Sequence, residues 1–244
     1  MHSRLVKPRI CAVMFDLVGT LATKIGSPTY ERVFKSIGVS VAPEVIADAF
    51  QRLEHCYPCT SPDTNEAVLR VRLAKICHIL GVPDESCDAV AEALRAVDRA
   101  PLEVRAHVPM VLDELRHMGL RLGVCSNGPS NLNNRLDHLG IGRFFDAAVS
   151  STDYGTRKPD PGIFRFVCAC LDVDPSQTVH IGDSPEEDVA GALAAGLGAL
   201  LIADTEVLPD WLAGLPNAVR VIKPAEITNI PTILRWSSGN DYRD

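Results

Sequence analysis

Six short blocks of this chain are almost continuously apolar: ICAVMFDLV (10–18), RLGVCSN (121–127), AAVSS (147–151), TVHIGD (178–183), ALLIA (199–203) and AVRVI (218–222). A strand covered on both faces reads this way, because neither face carries a polar stripe, so the blocks predict parallel strands. Between them, apolar residues recur at helical spacing. Val108, Val111, Leu112 and Leu115 precede the second block, and Leu132, Leu136 and Leu139 follow it. Ile163, Phe164, Val167, Cys170 and Leu171 precede the fourth, and Val189, Leu193 and Leu197 follow it. Strands alternating with amphipathic helices predict an α/β fold, a doubly wound parallel sheet with helices on both faces.

Residues 22–105 break that rhythm. TYERVFKSIG, APEVIADAFQRLEHCYP, EAVLRVRLAKICHILG and DESCDAVAEALRAVDRA read as helices, with Pro43, Pro83 and Pro101 near starts and Gly38 and Gly81 near ends. No strand pattern separates them. The expectation is a helical cap over 22–105, inserted into an α/β core made of 1–21 and 106–244. Such a cap is suited to close over the carboxyl edge of the sheet, where open α/β folds hold ligands.

Composition narrows the partners. The 244 residues are 46% hydrophobic, enough for a substantial core, and the formal net charge is −7. That balance argues against nucleic acid, whose phosphates call for a basic face. It is compatible with a small anionic substrate, because a few local cations or a metal outweigh the global sign. The most apolar window, VAGALAAGLGALLIA (189–203), is too short for a membrane span and is bounded by Asp188 and Asp204. The opening MHSRLVKPRI has no long apolar run or cleavage site, so the expected location is cytoplasmic, with the eight cysteines reduced. Cys56 and Cys59 have CxxC spacing, but no second pair accompanies them, which disfavours zinc.

Chemistry-bearing residues gather at the predicted strand ends. Asp16 closes the first strand, and Ser126-Asn127-Gly128 closes the second. Thr156-Arg157-Lys158-Pro159 follows the third, and Gly182-Asp183 closes the fourth, with Asp188 five residues on. In a parallel sheet these ends converge on one crevice. Each has a local reading: a cap for Asp16, turn chemistry for Ser126-Asn127, a solvated loop lysine for Lys158, and first-turn acids for Asp183, Glu186, Glu187 and Asp188. His180, inside an apolar strand, reads as a hydrogen-bonded core histidine. Taken together, Asp16 and Asp183 are hard oxygen ligands for Mg2+, with Asp188 beside them. Lys158 brings a cation, Ser126 a hydroxyl, and the Asn127 and Gly128 amides an anion cradle. That set suits phosphoryl transfer.

In their order these segments resemble the haloacid dehalogenase superfamily. They read Asp16-Leu-Val-Gly-Thr20, Ser126, Lys158, and Gly182-Asp183-Ser-Pro-Glu-Glu-Asp188. The resemblance spans essentially the whole chain, cap included. It implies that Asp16 attacks phosphorus and forms an aspartyl-phosphate, while Ser126 and Lys158 hold the transferring group. It implies Mg2+ on Asp16, Asp183, Asp188 and the backbone carbonyl of Val18, and a loop held by Thr20.

Val18 departs from that pattern. Phosphatases of the superfamily usually carry a second Asp there, which protonates the leaving alkoxide and then activates water. Such acid–base help is worth roughly 10²–10⁴-fold. Valine keeps the carbonyl and loses the proton. The leading reading is a phosphohydrolase with an impaired or substituted acid. His55, Glu54 and His78 are the cap candidates for a substitute. A metal-independent 2-haloacid dehalogenase is the alternative, since halide leaves without a proton. A C–P hydrolase would need a cap lysine, for which Lys24, Lys35 and Lys75 are the candidates. A non-catalytic binder of a phosphorylated ligand is the remaining reading.

Overall fold

In the computed structural model the described residues are 9–24, 34–35, 38–42, 45–46, 49, 66–90, 92, 101–204, 209–213 and 219–237. Cys56, Cys59, Glu54, His55, Pro43 and the polar tail beyond residue 237 lie outside them. The chain divides into two compact units, one made of Met1–Thr23 with Glu103–Asp244 and the other of Lys24–Leu102.

The first unit is built on a six-stranded sheet. Its strands are β1 (Ala12–Phe15), β4 (Arg121–Ser126), β5 (Ala147–Ser150), β6 (Thr178–Gly182), β7 (Gly198–Ile202) and β8 (Val219–Ile222). They lie in the order β5-β4-β1-β6-β7-β8, and every pair is parallel. All six apolar blocks are therefore strands of one sheet. β1 is central and all four of its residues are buried, as its unbroken apolar run requires.

The register sets the site. Phe15 pairs with Val124 of β4 and with Ile181 of β6, and Ser126 pairs with Ser150 of β5. The residues just past these pairs emerge side by side at the carboxyl edge. The Asp16 amide continues the ladder by donating to the Ile181 carbonyl at 2.9 Å.

The helices cover both faces. α2 (Val108–His117) buries Val108, Val111, Leu112 and Leu115, the stripe that its spacing predicts. α3 (Leu132–His138) buries Leu132 and Leu136. α4 (Pro161–Cys170) starts at Asp160, whose side chain accepts from the Gly162 amide. It buries Ile163, Phe164, Val167 and Cys168, whereas Cys170 is exposed. The predicted stripe included Cys170; the chain instead buries the position one turn beyond Phe164. Pro185–Ala190 winds as a π-helix and runs on into α5 (Gly191–Ala195). α6 (Ile230–Ser237) ends the described chain. A fully buried aliphatic side chain contributes about 1.5–3 kcal/mol, so these stripes clamp the strand ends in place.

In the second unit, α1 (Glu66–Ile79) contributes Ile76 and Cys77 to a separate core with Phe34, Ile46, Ala49, Leu80, Val82 and Val90. The region 22–105 is not helical throughout. β2 (Ala22–Lys24) pairs with β3 (Leu102–Val104) as a two-stranded sheet. Segments of three residues are too short to declare an alternating pattern. No helix among the described residues is long and apolar enough to cross a membrane.

Candidate active site

The carboxyl edge of the sheet gathers four ionisable residues, Asp16, His180, Asp183 and Asp188, around one lysine. Lys158 follows β5 in sequence and is joined to Pro159 by a cis peptide bond. Its side chain is 1% exposed. Its ammonium donates to Asp16 Oδ1 at 2.8 Å and to Asp188 Oδ1 at 2.6 Å. Burial alone would strip the proton from this lysine. The charges of Asp16 and Asp188 together outweigh that, and hold it protonated well above lysine's ordinary range.

Asp16 is buried more deeply than an open rim position, with 9% of its side chain exposed. Burial raises its pKa more than the neighbouring Lys158 lowers it. Among the described residues its carboxyl accepts only from Lys158, through Oδ1, which leaves Oδ2 free of hydrogen bonds. The Asp16 carboxyl is thus held by one oxygen and presents the other.

Asp188 is fully engaged. Oδ1 meets Lys158 and, at 2.9 Å, His180 Nε2. Oδ2 accepts the Asp183 amide at 3.1 Å and the Ser184 amide at 3.0 Å. Burial would raise its pKa, but the Lys158 charge and the His180 bond hold it below the usual carboxylate range. His180 is buried, and burial lowers its pKa against the pull of Asp188. It stands as a neutral imidazole that donates to Asp188 and packs edge-on against Phe164. The core-histidine expectation holds, with the added fact that its partner is a site carboxylate.

Asp183 has a different setting. The residue reaches solvent, yet its carboxyl lies against Gly19: a Cβ there would come within 2.0 Å of Asp183 Oδ2. Gly19 also has a φ of +96°, so both the turn and the close approach require glycine. Gly182 is constrained alike, since a Cβ would strike the Asp188 carboxyl at 2.1 Å. Removal from water raises the Asp183 pKa first, and the charges of Asp16 and Asp188 add to it, pushing it up to about 7.

Asp16, Asp183 and Asp188 each offer an oxygen, and the three atoms lie within 4.8 Å of one another. Three carboxylates face one ammonium and one neutral imidazole, an excess of two negative charges. Burial raises the pKa values of Asp16 and Asp183 first, and the neighbouring carboxylate charges add to it. A hard divalent cation fits both the charge and the all-oxygen donor set. No backbone amide outside the regular elements donates to the Val18 carbonyl among the described residues, so it too is available.

The remaining sequence candidates divide. Ser126 is buried at the end of β4, and its hydroxyl makes no hydrogen bond among the described residues. Thr20 is fully buried, with an unpartnered Oγ1. The Asn127 side chain turns to the chain itself. Its Oδ1 accepts the Lys158 amide at 2.8 Å, and its Nδ2 donates to the Lys158 carbonyl at 3.0 Å and to Glu187 Oε2 at 2.9 Å. The Gly128 amide donates to Ser151 Oγ at 3.2 Å, so it is already engaged within the loop. Glu187 is half-buried rather than solvated, ties to Arg157 at 3.5 Å, and is shifted upward mainly by burial. Ser151 was not singled out from sequence, and Glu187 was read there only as a first-turn acid. Ser151 stands at a strand end like the others, which was the available signal. Cys125, next to Ser126, has its thiol pushed up to about 12, chiefly by burial, and is inert.

Residues 10–196 match the haloacid dehalogenase-like hydrolase family. The chain belongs to that family. Haloacid dehalogenase-like hydrolase domain-containing protein 3 of Mus musculus is 35% identical over 134 residues, 54% of this chain and 53% of that protein. A phosphoserine phosphatase of Thermus thermophilus is 31% identical over 141 residues, 55% of this chain and 56% of the relative. The chain thus spans about half the length of these curated relatives. The crystal structure of a 2-haloacid dehalogenase from Pseudomonas syringae superposes with a TM-score of 0.53 at 24% identity, covering 93% of this chain and 99% of that one. That likeness establishes the haloacid dehalogenase-like fold and not the reaction.

Proposed function

We propose that this haloacid dehalogenase-like hydrolase is a Mg2+-dependent phosphohydrolase of small phosphorylated compounds. The observation that carries the reading is the Lys158 ammonium bridging Asp16 and Asp188 while Asp16 Oδ2 stays free. Lys158 fixes the rotamer of Asp16 and tempers the charge around it, so that the free oxygen is aimed at an incoming phosphorus.

Asp16 Oδ2 forms a bond to phosphorus as the bond to the leaving oxygen breaks. The electron pair departs on that oxygen. Water then hydrolyses the aspartyl-phosphate, giving inorganic phosphate and regenerating the carboxylate, with the proton passing to solvent. The Ser126 hydroxyl would hold a phosphoryl oxygen. Held by Asp16, Asp183 and the Val18 carbonyl, with Asp188 in support through its bond to the Asp183 amide, Mg2+ would supply charge neutralisation for the phosphoryl group.

Val18 gives no proton to the leaving group, so the reading favours substrates whose leaving group is stable as an anion. The dehalogenase alternative has less support: without a cation, the cluster keeps an excess of two negative charges, the nucleophile's own included. Hydrolysis of p-nitrophenyl phosphate with and without Mg2+ tests the reading. Turnover should require the cation and vanish in Asp16→Asn. Chloride release from 2-chloropropionate in EDTA would point instead to the dehalogenase.

A further inference from the structure

Arg135 on α3 reaches back toward the loop that follows β4, in the direction helical side chains lean. The bare face of Gly128 marks where it arrives. A Cβ on that glycine would stand 4.0 Å from Arg135 Nη1 and 3.8 Å from Ser126 Oγ. Hydroxyl and guanidinium therefore border one space, which the glycine leaves open. Arg135 is half-buried, and its side chain makes no hydrogen bond or ion pair among the described residues. In a chain with 31 acidic and 24 basic residues, a half-buried cation without a carboxylate beside it is conspicuous, because partial burial costs hydration that no partner returns.

Val18 supplies a second, independent constraint: the leaving group receives no proton from that position. A leaving group already stable as an anion, and an unpaired guanidinium bordering the same space as the Ser126 hydroxyl, point to one chemistry. We propose that Arg135 binds an oxyanion on the leaving side of the substrate, and that the substrate class is a compact phosphoanhydride. This rests on the phosphohydrolase reading above. A planar guanidinium suits two phosphate oxygens at once. In the transfer step the bond between Asp16 Oδ2 and phosphorus forms and the bond to the bridging oxygen breaks. The electron pair stays on that oxygen, which departs as phosphate against Arg135. Water then releases the second phosphate from Asp16.

The test is the ratio of kcat/KM for inorganic pyrophosphate to that for p-nitrophenyl phosphate, each with Mg2+. Both leaving groups depart without a proton, but only pyrophosphate carries fixed negative charge on the leaving side. Arg135→Gln should lower the ratio about 10–100-fold, the loss expected for a charge-assisted hydrogen bond, and Arg135→Lys should recover part of it. Gly128→Ala should lower the ratio as well. Its Cβ makes only ordinary contacts and its backbone is not left-handed, so it fills the space without unfolding the loop. A purely structural Arg135 would depress both substrates alike and leave the ratio unmoved, which overturns the assignment. Wild-type protein that turns over p-nitrophenyl phosphate but prefers it to pyrophosphate as strongly as Arg135→Gln does would also overturn it. No Mg2+-dependent turnover of p-nitrophenyl phosphate would remove the phosphohydrolase reading and this assignment with it.

Discussion

Lys158 Nζ stands 2.8 Å from Asp16 Oδ1, inside the protein and 142 residues away in sequence. The same ammonium reaches Asp188 at 2.6 Å, so one buried cation ties the end of the central strand to the helix after β6. Removing one partner of a buried ion pair typically destabilises by about 3–5 kcal/mol. Lys158→Met should therefore lower the melting temperature clearly, and added Mg2+ should restore part of it by replacing the lost positive charge. Activity should fall about 10²–10³-fold, as when a transition-state donor is removed. Thermal melts with and without Mg2+, alongside aryl phosphate hydrolysis, check both effects.

Restoring a carboxyl group at position 18 probes the missing proton. Val18→Asp should raise turnover of alkyl phosphates, whose leaving alkoxide needs protonation, by about 10²-fold or more. It should change p-nitrophenyl phosphate turnover far less, because nitrophenolate leaves unaided. The comparison needs only kcat for the two substrate types in a folded variant.

Asp183 gives a pH dependence with a definite sign. Its pKa in the fold, about 7, lies above the ordinary carboxylate value of about 3.9. Its contribution to stability is thus complete below pH ~4 and is lost as pH rises through about 7. Asp188 acts oppositely: its lowered pKa stabilises the fold above pH ~4, and that contribution fades only in acid. Between pH 5 and 7, the metal-free protein should lose the Asp183 contribution while Mg2+ binds more tightly, by about tenfold per unit where one proton is displaced. Calorimetric Mg2+ titration at several pH values measures the slope.

Asn127 spans both backbone groups of Lys158. Asn127→Ala should leave the Lys158 amide and carbonyl unpaired, at about 1–3 kcal/mol, and loosen the aim of the ammonium. The expected pattern is a fall in kcat with KM nearly unchanged, and a changed pH profile in the limb that reports Asp16. A rise in KM alone would mean that Asn127 contacts substrate.

The sheet was legible because a strand covered on both faces reads as a nearly continuous apolar block, as in β1 and β7; the edge strand β8 reads the same way although Arg220 and Val221 are exposed. The α2 stripe was legible for the same reason at helical spacing. β2 and β3 were not, since three residues carry too little periodicity. Cys170 and Cys168 differ by two positions, and local spacing did not distinguish which of them faces inward. In the site, Asp16, Ser126, Lys158, Asp183 and Asp188 stand at strand ends and helix starts, where topology alone converges them. The pairings were not legible. Asn127 meets residues 31 and 60 positions away, and Arg135 meets its space by reaching back along a helix. Such contacts depend on loop paths that no local pattern encodes.

The central claim is that the free Asp16 oxygen receives a phosphoryl group beside a divalent cation. A crystal soaked with Mg2+ and beryllium fluoride addresses it directly, because the fluoride complex mimics a phosphoryl group on a carboxylate. Tetrahedral density joined to Asp16 Oδ2 is expected, with Mg2+ between Asp16 and Asp183. Density for both ions elsewhere, or an Asp16 that stays bare while Mg2+ occupies the acidic cluster, would contradict it.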